Sequence, residues 1–314
     1  MTKTILVTGA AGFIGSHVAE TAAKRGYRVN AIDSFSPHLY SPELKRANWN
    51  VLSGVSSINL FELDLCRDDV SQIVSESDII VNSAAVPGLM PSWSLFSEYL
   101  NSNVLVLSKI LESVPSDSPK RIIQLSTSSV YGKFALGDES NETSPTSPYG
   151  VTKLAAENLL KVIAEKKNLN FNILRLFSVY GPRQRPDMAF RIILNKLISG
   201  ETISIYGDGT ASRSNTYVED VVEGILLACE SNFNSQTYNI CGSEEFSLNE
   251  VLAILERITG RKAKLRYCPI RPGDQNATKG DFSKAKRDLG YSPSWTLVNG
   301  LKQQYEWEKD NSSQ

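Results

Sequence analysis

The sequence predicts an α/β protein built on a doubly wound parallel sheet, and three observations favour this class. Short apolar segments rich in β-branched residues recur through the first half of the chain, stretches of helical pattern separate most of them, and a glycine-rich turn follows the first. Strands that are apolar on both faces need helices on both sides, and right-handed crossovers place them there. We therefore expect one parallel sheet between two helical layers.

The elements follow one another in alternation. The predicted strands of the sheet cover residues 4–8, 28–32, 58–63, 79–82, 121–125 and 171–176. The clearest predicted helices, over about 14–25, 101–113 and 149–167, lie between these strands. Beyond residue 176 the pattern changes to shorter helices separated by loops rich in arginine, proline and glycine. The sequence thus predicts a first domain at residues 1–176 and, at 177–314, a smaller substrate lobe interleaved with it.

The bulk composition narrows the possible functions. A formal net charge of −1 over 314 residues predicts no general electrostatic binding to nucleic acid or to an acidic membrane surface. No segment reaches the roughly 18 consecutive apolar residues of a membrane span. The four cysteines stand far apart, which is typical of a reduced cytoplasmic protein. An anionic ligand must therefore be held by a few locally placed arginines.

Histidine is scarce, because the chain contains only His17 and His38. Neither has a second histidine or a cysteine nearby, so we assign both to helix or loop positions and expect no metal site. The same scarcity disfavours a Ser-His-Asp hydrolase and a histidine-based metalloenzyme.

A phosphate-binding turn is predicted directly after the first strand, where the chain reads Gly9-Ala10-Ala11-Gly12-Phe13-Ile14-Gly15. Glycines let the backbone approach a pyrophosphate closely, and the following helix directs its free N–H groups at the anion. Asp33 ends the second strand, eighteen residues after Gly15. A carboxylate there accepts hydrogen bonds from the adenosine ribose and repels a 2′-phosphate, which predicts NAD and not NADP as the cofactor.

Tyr149 and Lys153 are the predicted catalytic pair. They lie four residues apart at the start of a predicted helix, so their side chains point the same way. A tyrosine of pKa ~10 is a poor base at neutral pH. A lysine ammonium one turn away, beside a positive nicotinamide ring, favours the phenolate. Upstream, Ser126–Gly132 places several hydroxyls at the carboxyl end of the fifth strand, where ligands bind in open α/β sheets.

These three elements, in this order and spacing, resemble the extended short-chain dehydrogenase/reductases with their Rossmann fold, and in particular the nucleotide-sugar epimerases and dehydratases. Thr8–Gly15 is similar to the family's TGxxGFIG signature. The resemblance implies that Asp64 and Leu65 contact the adenine and that Thr127 is the catalytic Ser/Thr. It also implies that Ala84 contacts the cofactor, at a strand end that reads Asn82-Ser83-Ala84-Ala85 with asparagine in place of the usual histidine.

The second lobe carries similarities of its own. The loop beginning at Tyr206 resembles the family's nucleotide-binding loop, which implies that Tyr206 stacks on uracil and that Arg213 holds the diphosphate. Arg271-Pro272-Gly273-Asp274 resembles the segment that closes over the nucleotide. Arginine suits this task because its planar fork binds two phosphate oxygens at once. The resemblance further implies a homodimer formed through the helices near 101–113 and 149–167.

Within this family the residues favour a 4-epimerase, in which Tyr149 takes the proton of the sugar C4 hydroxyl while the C4 hydride passes to NAD and later returns to the other face. The 4,6-dehydratases carry Asp-Glu where this chain has Ser128 and Ser129, which we expect to contact the sugar. The family's UDP-glucuronate decarboxylases usually have glutamate at the position of Ser129. That decarboxylase activity and a non-catalytic NAD-binding role remain alternatives.

The segment from Phe177 to Phe190 closely resembles the corresponding stretch of UDP-glucuronate 4-epimerases. This resemblance implies that Ser178 stands where threonine is usual and that Arg185 meets the C5 carboxylate of UDP-glucuronic acid, which is converted to UDP-galacturonic acid. Met90 departs from the pattern, because those epimerases have an arginine there. A 4-epimerase of an uncharged sugar, UDP-glucose or UDP-N-acetylglucosamine, is therefore the alternative.

Overall fold

The structure is a computed structural model that describes residues 2–37, 39–270 and 277–311. Its strands, numbered in chain order, are β1 Thr4–Thr8, β2 Arg28–Asp33, β3 Ile58–Glu62, β4 Ile79–Asn82, β5 Arg121–Thr127, β6 Phe134–Gly137, β7 Asn170–Leu176, β8 Val179–Tyr180, β9 Thr202–Tyr206, β10 Ser212–Ser214, β11 Thr216–Tyr217, β12 Gln236–Ile240, β13 Glu245–Ser247, β14 Lys264–Cys268 and β15 Ala277–Gly280.

The helices are numbered in the same way. They are α1 Phe13–Lys24, α2 Pro42–Ser53, α3 Ser71–Ser75, α4 Phe96–Leu100, α5 Val106–Ser113, α6 Pro148–Lys167, α7 Ala189–Ser199, α8 Val218–Glu230, α9 Leu248–Thr259, α10 Ser283–Leu289 and α11 Leu297–Asn311. Within the described ranges, no helix combines the length and the apolar character needed to span a membrane.

Seven parallel strands of the described chain form the large sheet, in the order β3-β2-β1-β4-β5-β7-β12. Successive side chains of a strand point to opposite faces, and β1 shows the result: Ile5 and Val7 join one buried cluster while Leu6 joins another. Helices α1, α2 and α8 cover the first face, and α3, α5 and α6 cover the second. The predicted doubly wound α/β class is confirmed.

The two halves of the chain exchange strands. β12 lies beyond residue 176, yet it pairs with β7 at the edge of the large sheet. Conversely, β6 comes from the first half and pairs with β15 in a four-stranded sheet of order β13-β10-β15-β6. Two short parallel pairs, β8 with β11 and β9 with β14, lie outside these sheets. The domain division predicted at residue 176 stays a prediction.

The helix predicted over 101–113 departs from regular α geometry at its start. A π-helical turn, Asn101–Leu105, joins α4 to α5. One residue of this turn, Asn103, is buried and its amide bonds both backbone groups of Val86, accepting from N–H at 2.8 Å and donating to C=O at 3.2 Å. It also donates to the Thr152 hydroxyl on α6 at 3.0 Å. The turn thus aligns a polar side chain with the loop after β4, as such turns often do near functional sites.

The turn between β1 and α1 is packed so closely that Gly9 and Gly15 have no room for a side chain. Gly9 has a φ of +65°, and a Cβ there would lie 2.9 Å from the Cα of Ala84, beyond the end of β4. A Cβ at Gly15 would lie 2.2 Å from the Gly9 carbonyl oxygen and 2.8 Å from the Ser83 hydroxyl. The loop, α1 and the end of β4 therefore meet backbone against backbone.

We expect Gly15→Ala to lower the free energy of unfolding by about 1–3 kcal/mol or more, because the added methyl group can be accommodated only by shifting backbone. Urea unfolding monitored by circular dichroism measures this change. Gly54→Ala is the matched control, since Gly54 ends α2 at a φ of −77° and its Cβ would meet only the Val51 carbonyl oxygen, at 3.6 Å. Equal stability of the two variants would show that the turn is not packed as described.

Candidate active site

The candidate site lies at the edge of the large sheet where β1, β4, β5 and β7 end. These strands are parallel, so their carboxyl ends meet: Thr8 pairs in register with Asn82, and Thr127 pairs with Leu176. The glycine loop, the strand ends carrying Ala84 and Thr127, and the segment after β7 therefore converge on one edge. This is the edge at which open α/β sheets bind ligands.

Gly12 and the first turn of α1 fit a pyrophosphate. Among described atoms within 4 Å, a Cβ at Gly12 would meet only the Gly9 carbonyl oxygen, at 3.0 Å, so the loop is open on its outer side. α1 begins at Phe13 without a side-chain cap, and its first turn, which includes Ile14 and Gly15, carries no acidic residue. Its orphan N–H groups and positive dipole end are therefore available to an anion.

Asp33 stands beside this loop at the end of β2. Its Oδ2 accepts the Ala11 N–H at 3.0 Å, and its Oδ1 accepts the Phe35 N–H at 2.8 Å. A carboxylate oxygen has more than one acceptor site, so these bonds orient the group while it can still accept from a ribose hydroxyl. The placement fits the predicted contact with the adenosine ribose of NAD.

A cleft of about 260 Å³ opens next to Asp33, where β2 and β3 end. Its lining residues are Ser34, Ser36, Pro37, Glu62, Leu63, Asp64 and Arg67. Asp64 therefore faces this cleft, whereas Leu65 is buried in the core beneath it. The adenine contacts assigned to both residues stay predictions.

Ala84 lies directly against the glycine loop. Its N–H donates to the Thr8 hydroxyl at 3.2 Å, and the same hydroxyl donates to Asn82 Oδ1 at 2.7 Å. The Asn82 amide in turn donates to Gln124 Oε1 at 2.8 Å. Asparagine at the position of the family's histidine thus links the ends of β1 and β4 to the middle of β5 inside the sheet.

Tyr149, in the first turn of α6, is half-buried beside the end of β5. Thr127 is a hydrogen-bonding neighbour of its phenol and acts to lower the phenol's pKa. The Thr127 hydroxyl donates to Ser129 Oγ at 3.2 Å. The ring of the buried Tyr99 meets the Tyr149 ring edge to face, with 6.1 Å between centroids. Burial raises the pKa of Tyr149, while the hydrogen bond with Thr127 and the charge of Arg185 act in the opposite direction.

Lys153 lies one turn further along α6 and is buried, and its Nζ donates to the Leu125 carbonyl oxygen at 2.6 Å. Burial lowers its pKa to about 8, and the charge of Glu157 opposes this. Glu157 follows after one more turn, fully buried, and accepts two bonds from Arg175, at 3.0 and 2.7 Å, and one from Ser126 at 2.5 Å. The lysine therefore sits beside a buried, fully paired carboxylate.

Arg185 lies in the turn between β8 and α7, and its carbonyl oxygen accepts the Met188 N–H at 3.1 Å. Its Nε and Nη2 each donate to a different oxygen of Asp187, both at 3.0 Å. Within the described residues, its Nη1 makes no hydrogen bond. Burial raises the pKa of both Tyr149 and Tyr99, and the charge of Arg185 opposes the rise in each. The Arg185 guanidinium is therefore close enough for its charge to act on both phenols.

Three serines surround the same strand ends. Ser128 is buried and Ser129 is half-buried in the 3₁₀ turn that follows β5, and the Ser129 N–H donates to the Thr127 hydroxyl at 3.2 Å. Ser178 lies between β7 and β8, where its carbonyl oxygen accepts the Thr216 N–H at 3.1 Å. In the described part of the chain, the Ser178 hydroxyl makes no hydrogen bond. Their sugar contacts stay predictions.

The predicted nucleotide-binding residues belong to the second lobe. Tyr206 ends β9 and is 44% exposed. Arg213 lies in β10 and donates from Nη1 to the Ser212 carbonyl oxygen at 3.0 Å. Arg271 lies outside the described residues.

The structure adds side chains that the sequence analysis did not assign, namely Tyr99, Asn103, Glu157, Arg175 and Asp187. Glu157 continues the four-residue spacing of the catalytic pair, and that spacing is the signal that could have identified it. Tyr99, Asn103 and Arg175 reach the site through tertiary contacts that no local pattern shows, whereas Asp187 lies two residues from Arg185 in the same turn. Among the described residues, no three His, Cys, Asp or Glu side chains are placed to hold a metal ion.

Comparisons with known proteins agree with this geometry. A model of the NAD dependent epimerase/dehydratase family matches residues 5–241. The chain is 39% identical over 302 residues, 95% of each chain, to the Uncharacterized UDP-glucose epimerase YtcB of Bacillus subtilis (strain 168). It is 31% identical to the UDP-glucuronate 4-epimerase of Thermodesulfobacterium geofontis (strain OPF15), over 98% of this chain and 96% of the other.

The fold of this chain is also similar to that of a solved epimerase structure. The structure of UDP-glucuronic acid 4-epimerase from Bacillus cereus, in complex with UDP-glucuronic acid and NAD, matches with a TM-score of 0.93 and 37% identity, over 98% of this chain and 99% of that one. The family match begins in β1 and ends just after β12, so it spans every strand of the large sheet. The chain belongs to the NAD dependent epimerase/dehydratase family.

Proposed function

We propose that this protein is an NAD-dependent 4-epimerase that interconverts UDP-glucuronic acid and UDP-galacturonic acid. The position of Arg185 carries the proposal: its charge acts on the Tyr149 phenol, and its Nη1 makes no hydrogen bond within the described residues. C4 and C5 are adjacent atoms of the sugar ring, so a sugar whose C4 hydroxyl reaches Tyr149 brings its C5 substituent near Arg185. A guanidinium there binds a carboxylate with charge-assisted bonds. The relatives named as UDP-glucuronate 4-epimerases support this assignment.

Tyr149 holds and moves the proton of the reaction. As phenolate it takes the proton of the C4 hydroxyl, and as phenol it returns the proton once the 4-keto sugar has turned its other face. Thr127 orients the phenol through their hydrogen bond. Lys153 supplies positive charge one turn away and is itself fixed by the Leu125 carbonyl oxygen. Bound NAD supplies a reversible acceptor for the C4 hydride.

Arg185 also protects the product. The 4-keto form of UDP-glucuronic acid is a β-keto acid, which loses CO₂ readily when its carboxylate turns out of the ring plane. A guanidinium held in place by Asp187 keeps that carboxylate in one orientation. Serine at positions 128 and 129 supplies neither the acid nor the base that a 4,6-dehydratase requires there. Epimerisation without elimination or decarboxylation is the reaction that these residues support.

An uncharged UDP-sugar is the second candidate substrate, and three observations favour it. Asp187 already pairs with Arg185, so the site does not require a ligand carboxylate to neutralise the guanidinium. Met90, 40% exposed, also stands where the UDP-glucuronate 4-epimerases that this chain resembles have an arginine. A relative carries the name UDP-glucose epimerase.

We infer that the protein is a homodimer formed through the helices near 101–113 and 149–167, with α4 extending the first of them. An exposed apolar stripe runs along α6 at helical spacing, from Val151 through Ala155 to Val162, which is 66% exposed. Phe96 and Leu100 are exposed on α4, which packs beside α6. A second copy offers the same two-helix face, so the stripes can pack isologously into a four-helix bundle.

The remaining expectations concern location and partners. The four cysteines, Cys66, Cys229, Cys241 and Cys268, form no disulfide, which supports a reducing cytoplasmic location. The net charge of −1 supports a small-molecule ligand and no nucleic-acid or membrane partner.

Tyr149→Phe should lower turnover at least ~100-fold, the usual contribution of a positioned acid/base, while folding and NAD content stay normal. Product formation from UDP-glucuronate is followed by chromatography, and NAD is quantified after release from the protein. Tyr305→Phe, on α11, removes an equivalent hydroxyl away from the site and should leave turnover unchanged. Near-normal turnover in Tyr149→Phe would remove this residue from the mechanism.

Wild-type protein should prefer UDP-glucuronate over UDP-glucose and UDP-N-acetylglucosamine in a substrate panel. Arg185→Ala should lower kcat/KM for UDP-glucuronate at least ~30-fold, because a paired charge is lost, and should affect the uncharged sugars much less. Arg287→Ala is the control, since Arg287 pairs with Asp288 on α10. If wild type prefers an uncharged sugar, or if Arg185→Ala uses UDP-glucuronate as well as wild type does, the acid-sugar assignment is wrong while the epimerase assignment can stand.

Val162→Glu should convert the dimer to a folded monomer, because it places two like charges in the apolar stripe of the bundle. Light scattering after gel filtration should report twice the 34.6 kDa chain mass for wild type and the single mass for the variant. Val298→Glu on α11, where Val298 is 45% exposed, is the matched control and should remain dimeric. A dimeric Val162→Glu protein would place the interface elsewhere.

A further inference from the structure

The pairing of Arg185 with Asp187 is a local feature of one turn. The two residues are separated by a single proline, and the Met188 N–H closes the turn on the Arg185 carbonyl oxygen at 3.1 Å. The Arg185 side chain is 14% exposed and that of Asp187 is 32% exposed. The ion pair is thus formed by the turn itself, half-shielded from water, before any ligand carboxylate enters.

The charges of Arg185 and Asp187 both act on the pKa values of Tyr99 and Tyr40. Burial raises the pKa of Tyr99, and so does the neighbouring Tyr149; Arg185 opposes the rise and Asp187 adds to it. Burial likewise raises the pKa of Tyr40 to about 12, with Arg185 opposing and Asp33 and Asp187 adding. The position of Gly88 shows that Asp187 and Tyr99 are neighbours, because a Cβ added at Gly88 would lie 3.8 Å from Asp187 Oδ2 and 3.5 Å from the Tyr99 hydroxyl. Asp187 therefore faces the sugar side of the site.

The backbone under this turn is held from the C-terminal helix. Gln304 on α11 donates to Gln184 Oε1 at 2.7 Å, and its own Oε1 accepts the Gly181 N–H at 3.2 Å. Arg191 donates to the Gln184 carbonyl oxygen at 2.6 Å. With the backbone fixed on one side of Arg185 and Asp187 bound on the other, the guanidinium has little freedom to leave its counter-ion.

We propose that Asp187 is a specificity-determining residue, an internal counter-ion that limits how strongly the enzyme discriminates between acidic and uncharged UDP-sugars. The proposal rests on the proposed function and deepens it. Asp187 acts through Arg185, and we assign it no role in the proton or hydride transfer.

The argument compares the two kinds of sugar. An acid sugar brings a second carboxylate to the Arg185 guanidinium, whose Nε and Nη2 already donate to Asp187. Repulsion between the two carboxylates then cancels part of the attraction between the acid sugar and Arg185. An uncharged sugar leaves Arg185 paired with Asp187, so no half-buried cation is left without a partner. Specificity is the difference between the affinities for the acid sugar and for the uncharged sugar. Asp187 reduces this difference because it weakens binding of the acid sugar and favours binding of the uncharged one.

Asp187→Asn tests the proposal, because asparagine keeps the shape and one acceptor oxygen while it removes the charge. KM for UDP-glucuronate should fall and KM for UDP-glucose should rise, with both kcat values close to wild type. The ratio of the two kcat/KM values should then increase about fivefold, the size expected for one partly exposed charge pair. Asp288→Asn, which loses the matched partner of Arg287, should leave the ratio unchanged.

The Arg185→Ala background shows whether Asp187 acts through Arg185. There, adding Asp187→Asn should leave the ratio unchanged within error, since the residue has no guanidinium left to neutralise. An unchanged or lower ratio in the single variant, or an equal rise in the Arg185→Ala background, would overturn the proposal.

A binding measurement separates this proposal from the proposed function. Calorimetry on NAD-loaded Tyr149→Phe and Tyr149→Phe/Asp187→Asn proteins gives dissociation constants for UDP-glucuronate and UDP-glucose without turnover. If wild type does not epimerise UDP-glucuronate, the acid-sugar function fails, yet a fivefold change in the ratio of dissociation constants still supports the role of Asp187. A ratio that does not change contradicts the role of Asp187, whatever the wild-type activity is.

Discussion

All seven strands of the large sheet run in one direction, and the chemistry of this protein depends on that constraint. Because the strands are parallel, residues far apart in sequence end at one edge: Thr8 and Asn82 in register, Thr127 and Leu176 in register. The glycine turn after β1 can then pack on the backbone of Ala84, which only residues without a Cβ allow at this distance. The cofactor loop and the hydroxyl-bearing strand end thus belong to one rigid edge.

Along α6 the same edge carries a row of polar groups at one-turn intervals, from Tyr149 through Lys153 to Glu157. Burying charges is costly unless each has partners, and here the structure supplies them. Glu157 accepts hydrogen bonds from Nε and Nη2 of Arg175, which lies in β7. Lys153 donates to the carbonyl oxygen of Leu125 in β5. α6 is therefore held to β5 and β7 by polar contacts, and the orientation of Tyr149 depends on them.

The sugar side is built differently, from loops instead of strand ends. Arg185 sits on a turn whose backbone is fixed by Gln304 and whose charge is balanced by Asp187. Gln304 belongs to α11, so the C-terminal helix supports the turn of Arg185, the residue that we propose meets the sugar. A rigid strand edge, proposed for the proton and hydride steps, is thus combined with a separately supported turn, proposed for substrate choice.

The sequence by itself determined the class of fold and predicted the cofactor loop and the catalytic pair, because each of these is a local pattern: apolar strands, glycines at fixed intervals, and a tyrosine and a lysine one helical turn apart. The resemblance to a family added Thr127 and Arg185, which no spacing could have identified. Only the tertiary structure decided the partner of Glu157 and the support of the Arg185 turn. Arg175 reaches Glu157 because β7 lies beside β5, and the turn that pairs Arg185 with Asp187 is held by Gln304, on a helix more than a hundred residues later in the chain. Hydrogen bonds and charge pairs of this kind depend on distances in space, which a linear pattern does not contain.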